Sequence, residues 1–181
     1  MVIDWILGAL FRPGDTFDKA RNQLRFGYLW ILLCAYTIDV VVTYHSPVQM
    51  GDPAPWDFVA MYVLLWYLIL FDLQTLLLWG AARLFRWALP WREAAKFVGL
   101  SFSVLVVENI VLFYPMLKDM RVLFFWGDII FVVWLFAIMM TGLKRITGLG
   151  LWHSLALTTV AVLPLQLAMI ALNWYSAFVS A

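Results

Sequence analysis

Five long apolar stretches constrain this chain more than any other feature. Each is long enough to cross the ~30 Å hydrocarbon core of a bilayer, which takes about 20 helical residues. A soluble fold could not bury them, because 65% of the 181 residues are apolar and only 13% are charged, against roughly 45–50% and about 25% in soluble domains. The sequence therefore predicts an all-α polytopic membrane protein, with spans at about 26–44, 56–79, 95–117, 122–142 and 151–179.

The first eleven residues are apolar but too short to span. They carry Asp4 and no basic residue, and no small-residue cleavage site follows them. The segment therefore lacks the features of a secretory signal peptide. We expect a short amphipathic helix lying in the membrane interface. The predicted organisation is a cytoplasmic interfacial segment over 1–25 and a five-helix transmembrane domain over 26–181.

The basic residues predict an orientation. If the five spans are right, ten of the twelve Lys and Arg residues fall on the side of the amino terminus, and the other two fall on the opposite side. Loops rich in Lys and Arg stay in the cytoplasm during insertion. The amino terminus is therefore predicted to be cytoplasmic and the carboxyl terminus to lie outside.

Each of the first four predicted spans contains a carboxylic acid. Three acids fall at similar depths in the outer half, and two amides come to the same level, which predicts an intramembrane polar cluster of Asp39, Glu108, Asn109, Asp128 and Gln166. The fourth acid, Asp72, is isolated in the inner half. A charge at the helix centre costs about 2.5–3.5 kcal/mol on insertion scales, so we expect these acids to turn inward. The cluster is either a path for protons or cations, a pocket for a lipid head group, or a set of hydrogen bonds that pairs helices.

The loop that follows the second span interleaves basic and aromatic residues. This pattern is typical of a segment lying on an anionic leaflet. The candidate residues for contact with lipid head groups or a partner are Arg83, Arg86, Trp87, Trp91, Arg92 and Lys96. The alternative is that these charges only fix the topology of the chain in the membrane.

Two spacings predict close helix contacts. Gly99 and Ser103 form a small-xxx-small pair in the third span, and Ser154 and Thr158 form another in the fifth. Pro164 is predicted to kink the fifth helix and to free the Val160 carbonyl, which a neighbouring Thr158 or Thr159 hydroxyl would satisfy.

Other classes of function find no support in the residues. No nucleophile or nucleotide-binding motif occurs, and the two histidines lie near opposite ends of the predicted spans. A net charge of +1 is too small for a nucleic-acid binder. We therefore expect no enzyme activity, no catalytic residue, no metal and no cofactor.

Three short segments resemble the Yip1 domain family. They are Leu10-Phe11-Arg12-Pro13-Gly14-Asp15-Thr16-Phe17, Gly80-Ala81-Ala82-Arg83-Leu84-Phe85 and Leu143-Lys144-Arg145-Ile146-Thr147-Gly148-Leu149. The resemblance implies a five-span helical bundle with a cytoplasmic amino terminus and no catalytic residues. Bacterial relatives resemble accessory membrane proteins, some of them associated with export machinery.

Two functions follow from these observations. The first is an accessory or scaffold protein, expected in the bacterial inner membrane, whose partners are the bilayer and either another membrane protein or further copies of the chain. The second is a small channel or carrier for protons, cations or lipid that uses the polar cluster.

Overall fold

The protein is all-α, as the sequence predicts. The computed structural model describes residues 2–44, 56–117 and 120–179, and no strand occurs among them. The helices of these ranges are α1 (Val2–Phe11), α2 (Pro13–Gln23), α3 (Tyr28–Tyr44), α4 (Trp56–Leu84), α5 (Trp91–Ser101), α6 (Ser103–Leu117), α7 (Arg121–Thr147) and α8 (Leu151–Val179).

Two segments within the described residues are long and apolar enough to cross a membrane. They are Val63–Leu84 in α4 and Ile129–Thr147 in α7, and only 28% and 33% of their most apolar windows are buried. The core helix of a soluble protein would be mostly buried, whereas most residues in these two windows are not. Shorter apolar segments, Tyr28–Ile38 in α3 and Leu151–Leu165 in α8, accompany them.

Five helices pack as a closed ring. α3 contacts α4, α4 contacts α8, α8 contacts α7, α7 contacts α6, and α6 returns to α3. α5 and α2 pack together at one end of this ring, where both also contact α7. We call this end, at which α4 and α7 finish and α8 begins, the inner end.

The predicted third span is not one helix, which corrects the sequence analysis. It is interrupted at Phe102, between α5 and α6. In an unbroken helix the Gly99 carbonyl would accept the backbone N–H of Ser103. Here the Tyr36 hydroxyl of α3 donates to that carbonyl at 3.0 Å and also lies 3.2 Å from the Ser103 hydroxyl. A buried side chain from another helix thus occupies the acceptor that helix continuation would use.

The small-xxx-small pair of the third span is the place where α3 approaches. A Cβ built on Gly99 would lie 2.7 Å from a methyl carbon of Leu29. Tyr36 and Ser103 are both fully buried at this contact. The predicted close packing at Gly99 and Ser103 is therefore confirmed, with α3 as the neighbour.

α8 runs from Leu151 to Val179 with Pro164 inside it. The Thr158 and Thr159 hydroxyls do not donate to the Val160 carbonyl as expected. Thr158 donates to the Ser154 carbonyl at 2.8 Å, and Thr159 donates to the Leu155 carbonyl at 2.9 Å. Each hydroxyl bonds one turn back along its own helix, which is the nearest acceptor for a threonine in a helix.

The amino-terminal segment contains a second helix that the sequence analysis did not predict. α2 begins directly after Arg12, with Pro13 in its first turn, where a missing N–H costs nothing. α1 and α2 contact each other, and a Cβ on Gly8 would lie 2.6 Å from the Thr16 hydroxyl. The two helices therefore pack closely at the glycine.

Candidate functional site

An apolar contact fixes α2 to the inner end. The Phe17 ring is almost fully buried, and its centroid lies 4.7 Å from that of Phe97 in α5. Both rings fill the space beside Gly142 of α7, where an added Cβ would overlap them. The absence of a side chain at Gly142 thus allows α2, α5 and α7 to meet.

Polar groups on α2 also have partners at this junction. Lys96 of α5 donates to the carbonyls of Ala20 and Arg21, at 3.3 and 3.0 Å, which places a cation at the carboxyl end of α2. Arg21 pairs with Glu93 at 3.1 Å. On the other side, Arg145 of α7 pairs with Asp18 at 2.6 Å. These groups stabilise the docked position of α2.

The predicted head-group loop divides into outward and inward residues. Arg83, Arg86, Trp91 and Arg92 are exposed. Trp87 is half-buried and meets His153 of α8 edge to face, with centroids 5.3 Å apart. Lys96 is also half-buried, at the α2 contact described above. Four of the six predicted contact residues therefore face outward, while Trp87 and Lys96 contact the protein itself.

The exposed residues of this loop form an aromatic and basic surface. The Arg83 guanidinium lies 4.7 Å from the centre of the Trp79 ring, and Trp91 meets the same ring edge to face at 5.7 Å. We call the surface the inner rim and define it by the exposed residues Arg83, Leu84, Phe85, Arg86, Trp91, Arg92 and Trp152.

Arg86 adopts a backbone conformation that normally favours glycine. Its φ is +60°, where the side chain of an L-residue is crowded. The Trp87 N–H donates to the Ala82 carbonyl at 2.8 Å, which is the bond that ends a helix after a left-handed residue. α4 therefore ends in a tight turn that directs Arg86 outward.

Most of the predicted intramembrane cluster lies outside what the structure describes. The side chains of Asp39, Asn109, Asp128 and Gln166 belong to this part, and Glu108 is half-buried and takes part in an interaction. The cluster stays a prediction. Within the described residues, no three His, Cys, Asp or Glu side chains lie close enough to hold a metal ion.

The fourth acid, Asp72, does not turn inward as expected. The faces of α4 that meet the other helices carry Phe71, Gln74, Thr75 and Leu78, all of them buried. Asp72 is exposed on the opposite side of the helix. We call this side the outward face of α4, and it consists of Met61, Leu65, Ile69, Asp72, Leu73 and Leu76, all exposed.

Asp72 lies near the middle of α4, slightly closer to the inner end. It comes sixteen residues after the start of the helix at Trp56 and twelve before its end at Leu84. Asp72 makes no hydrogen bond or ion pair among the residues that the structure describes.

Sequence reasoning missed the residues that hold α2, although a signal was present. Pro13 marks the start of a helix, and Phe17, Ala20 and Leu24 follow at spacings of three and four residues. The partners of these residues on α5 and α7 carry no comparable signal.

Comparison with known proteins gives one match. No curated protein and no solved structure matches this chain. The pattern of the Yip1 domain matches residues 7–173, which is most of the sequence and includes all three segments on which the resemblance rested. The match and the apolar helices identify a membrane protein. The chain belongs to the Yip1 domain family, whose members are membrane-associated and related to trafficking.

Proposed function

We propose that this protein is a non-enzymatic accessory or scaffold protein that binds a partner membrane protein through the outward face of α4. In this proposal it crosses the bacterial inner membrane five times, with a cytoplasmic amino terminus and an external carboxyl terminus. The single observation that supports the proposal is the exposed carboxyl group of Asp72 near the middle of an apolar helix.

A lipid-facing carboxyl at this depth is costly. An aspartate near the helix centre disfavours insertion by about 2.5–3.5 kcal/mol, and intramembrane acids almost always face other protein or water. Asp72 is exposed and faces no other helix among the described residues. A helix of another protein with a hydrogen-bond donor at the same depth would remove this cost.

The residues around Asp72 suit a helix partner. Leu65, Ile69, Leu73 and Leu76 repeat every three or four residues and are 40–56% exposed. Such a row can pack as a ridge in the groove of a second helix, with a polar residue supplying a specific contact. The partner that fits is a transmembrane helix with an apolar face and a central Asn, Gln, Ser, Thr, Lys or Arg.

The inner rim supports the same orientation. Its three arginines and exposed aromatic side chains suit the head-group region of an anionic leaflet. A rim held at the cytoplasmic surface would set the depth of α4, and with it the depth at which Asp72 meets its partner.

Photocrosslinking in native membranes tests the proposal. A photoreactive amino acid replaces Leu73 on the outward face of α4, and the control carries it at Val133, an equally apolar position of α7 that is 62% exposed. We expect Leu73 to give one defined adduct with another membrane protein and Val133 to give none. Asp72→Leu should reduce the adduct at least fivefold, and Asp72→Asn should retain part of it.

Three results would contradict the proposal. They are an adduct of equal yield at both positions, an adduct that Asp72→Leu leaves unchanged, and an adduct only with a second copy of this chain. The last result would show self-association in place of an accessory role.

A further inference from the structure

A groove lies between α1, α2 and the beginning of α3. Its volume is about 670 Å³, and it is open along one side. Three basic residues border it: Arg12 between α1 and α2, Lys19 in α2, and Arg25 shortly after α2. Gln23 and Tyr28 add an amide and a phenol that can donate hydrogen bonds. We call it the amino-terminal groove.

The basic residues of the amino-terminal groove differ from those beside it. Arg21 and Arg145 pair with carboxylates, and Lys96 donates to backbone carbonyls. The side chains of Arg12, Lys19 and Arg25 make no hydrogen bond or ion pair among the described residues, and all three residues are exposed and border the groove. Three cations therefore surround one concave site without a protein anion assigned to them.

Two acids, Asp4 and Asp15, also border the groove. Asp15 lines a second groove as well, together with Lys144 and Arg145. Three cations and two carboxylates leave the amino-terminal groove with a positive balance of charge, which favours an anion.

The neighbouring surface of α1 is apolar. Ile3, Leu7 and Phe11 follow one another every four residues and are 68%, 48% and 72% exposed. They lie on the helix beside Asp4 and Gly8, which border the groove. An anion bound in the groove would therefore have an apolar strip next to it, as a phospholipid with its acyl chains requires.

We propose that the amino-terminal groove binds the phosphate of an anionic phospholipid through Arg12, Lys19 and Arg25. Arginine forks and a lysine ammonium are suited to phosphate oxygens. Ile3, Leu7 and Phe11 contact the acyl chains of the same lipid. The inference does not depend on Asp72 or on any partner of α4.

Native mass spectrometry of the delipidated full chain in neutral detergent tests this site. The probes are phosphatidylglycerol, phosphatidylcholine of the same acyl length, and inorganic phosphate. We expect one retained phosphatidylglycerol per chain, with phosphatidylcholine bound about tenfold more weakly and no displacement by phosphate at equal concentration.

Two triple variants that lose the same charge distinguish specific binding in the amino-terminal groove from general electrostatic attraction of the lipid. Arg12→Gln, Lys19→Gln and Arg25→Gln together should weaken phosphatidylglycerol binding about tenfold. The control removes three charges from the inner rim by Arg83→Gln, Arg86→Gln and Arg92→Gln together. This control should change phosphatidylglycerol binding less than twofold. Equal losses in both triples would overturn the proposal, as would equal binding of the two lipids or displacement by free phosphate.

A second measurement covers the case in which the groove triple does not fold. Photoactivatable phosphatidylglycerol is added to the wild type and to Lys19→Gln, which changes one exposed side chain of α2. We expect label on peptides from residues 2–28, reduced at least twofold by Lys19→Gln. Label confined to other peptides contradicts the proposed site.

Discussion

Charged side chains are paired where α2 meets α5 and α7, which we call the inner-end junction, and unpaired on the outward face of α4. At the junction, the charges that face α2 have partners: Arg21 has Glu93, Arg145 has Asp18, and Lys96 has two backbone carbonyls. On α4, Asp72 stands among exposed apolar side chains with no partner in the described residues. The paired charges, together with the buried Phe17 ring, account for the position of α2, whereas the packing of the described residues does not account for the position of Asp72.

The largest effect is expected when the junction is overfilled. Gly142→Leu places a side chain where the Phe17 and Phe97 rings lie, so α2 should separate from α5 and α7. Overpacking of this kind costs about 1–3 kcal/mol. Thermal unfolding followed by tryptophan fluorescence should show a lower Tm, and trypsin should cut faster after Lys19 and Arg21.

A glycine of α4 supplies the control for this variant. Gly80 of α4 has no atom within 4 Å of an added Cβ, so Gly80→Leu should leave the Tm unchanged or raise it slightly. An equal loss of Tm in both variants would show that the junction is not the specific support of α2.

A smaller effect is expected when one cation of the junction is removed. Lys96→Met keeps most of the side-chain volume but loses the donors to the Ala20 and Arg21 carbonyls. The expected loss is about 1 kcal/mol, because the ammonium is only partly buried. Faster trypsin cleavage after Arg21 with little change in the Tm would locate the loss at α2, whereas unchanged cleavage would contradict this role.

The smallest effect is expected at the exposed pair of the junction. The side chains of Arg145 and Asp18 are 61% and 43% exposed, so water and salt screen their attraction. Asp18→Asn, Arg145→Gln and the double variant should differ from the wild type by less than Lys96→Met does. Their coupling in a double-mutant cycle should vanish at about 0.5 M salt. A coupling that survives this salt would mean that the pair is more buried than the structure shows.

The sequence predicts the helices whose apolar runs are longest. α8 was predicted at 151–179 and runs from Leu151 to Val179, and α3 begins two residues later than predicted. The break at Phe102 could not be predicted, since it depends on Tyr36, which is 63 residues from Gly99 in the sequence. α2 was missed for a related reason, because most of its residues are polar and the few apolar ones are supported by α5 and α7.

The sequence predicts which candidate residues are unusual, but it does not predict which way their side chains point. Composition and spacing identified Asp72 and the basic loop as unusual, but the side of α4 that faces the other helices depends on Phe71, Gln74, Thr75 and Leu78 finding neighbours. The same limit applies to Lys96, whose direction depends on an unpredicted helix. A sequence pattern shows that a group is costly to bury, and only the packing shows whether it is buried.

The ring of helices has a consequence for biosynthesis. α8 joins α4 to α7, and the ribosome makes it after both of them. Until α8 has been made and has packed in place, the sides of α4 and α7 that it covers in the folded protein remain uncovered. A nascent chain that stalls before α8 would therefore expose two unfinished contact surfaces, which a membrane protease could recognise.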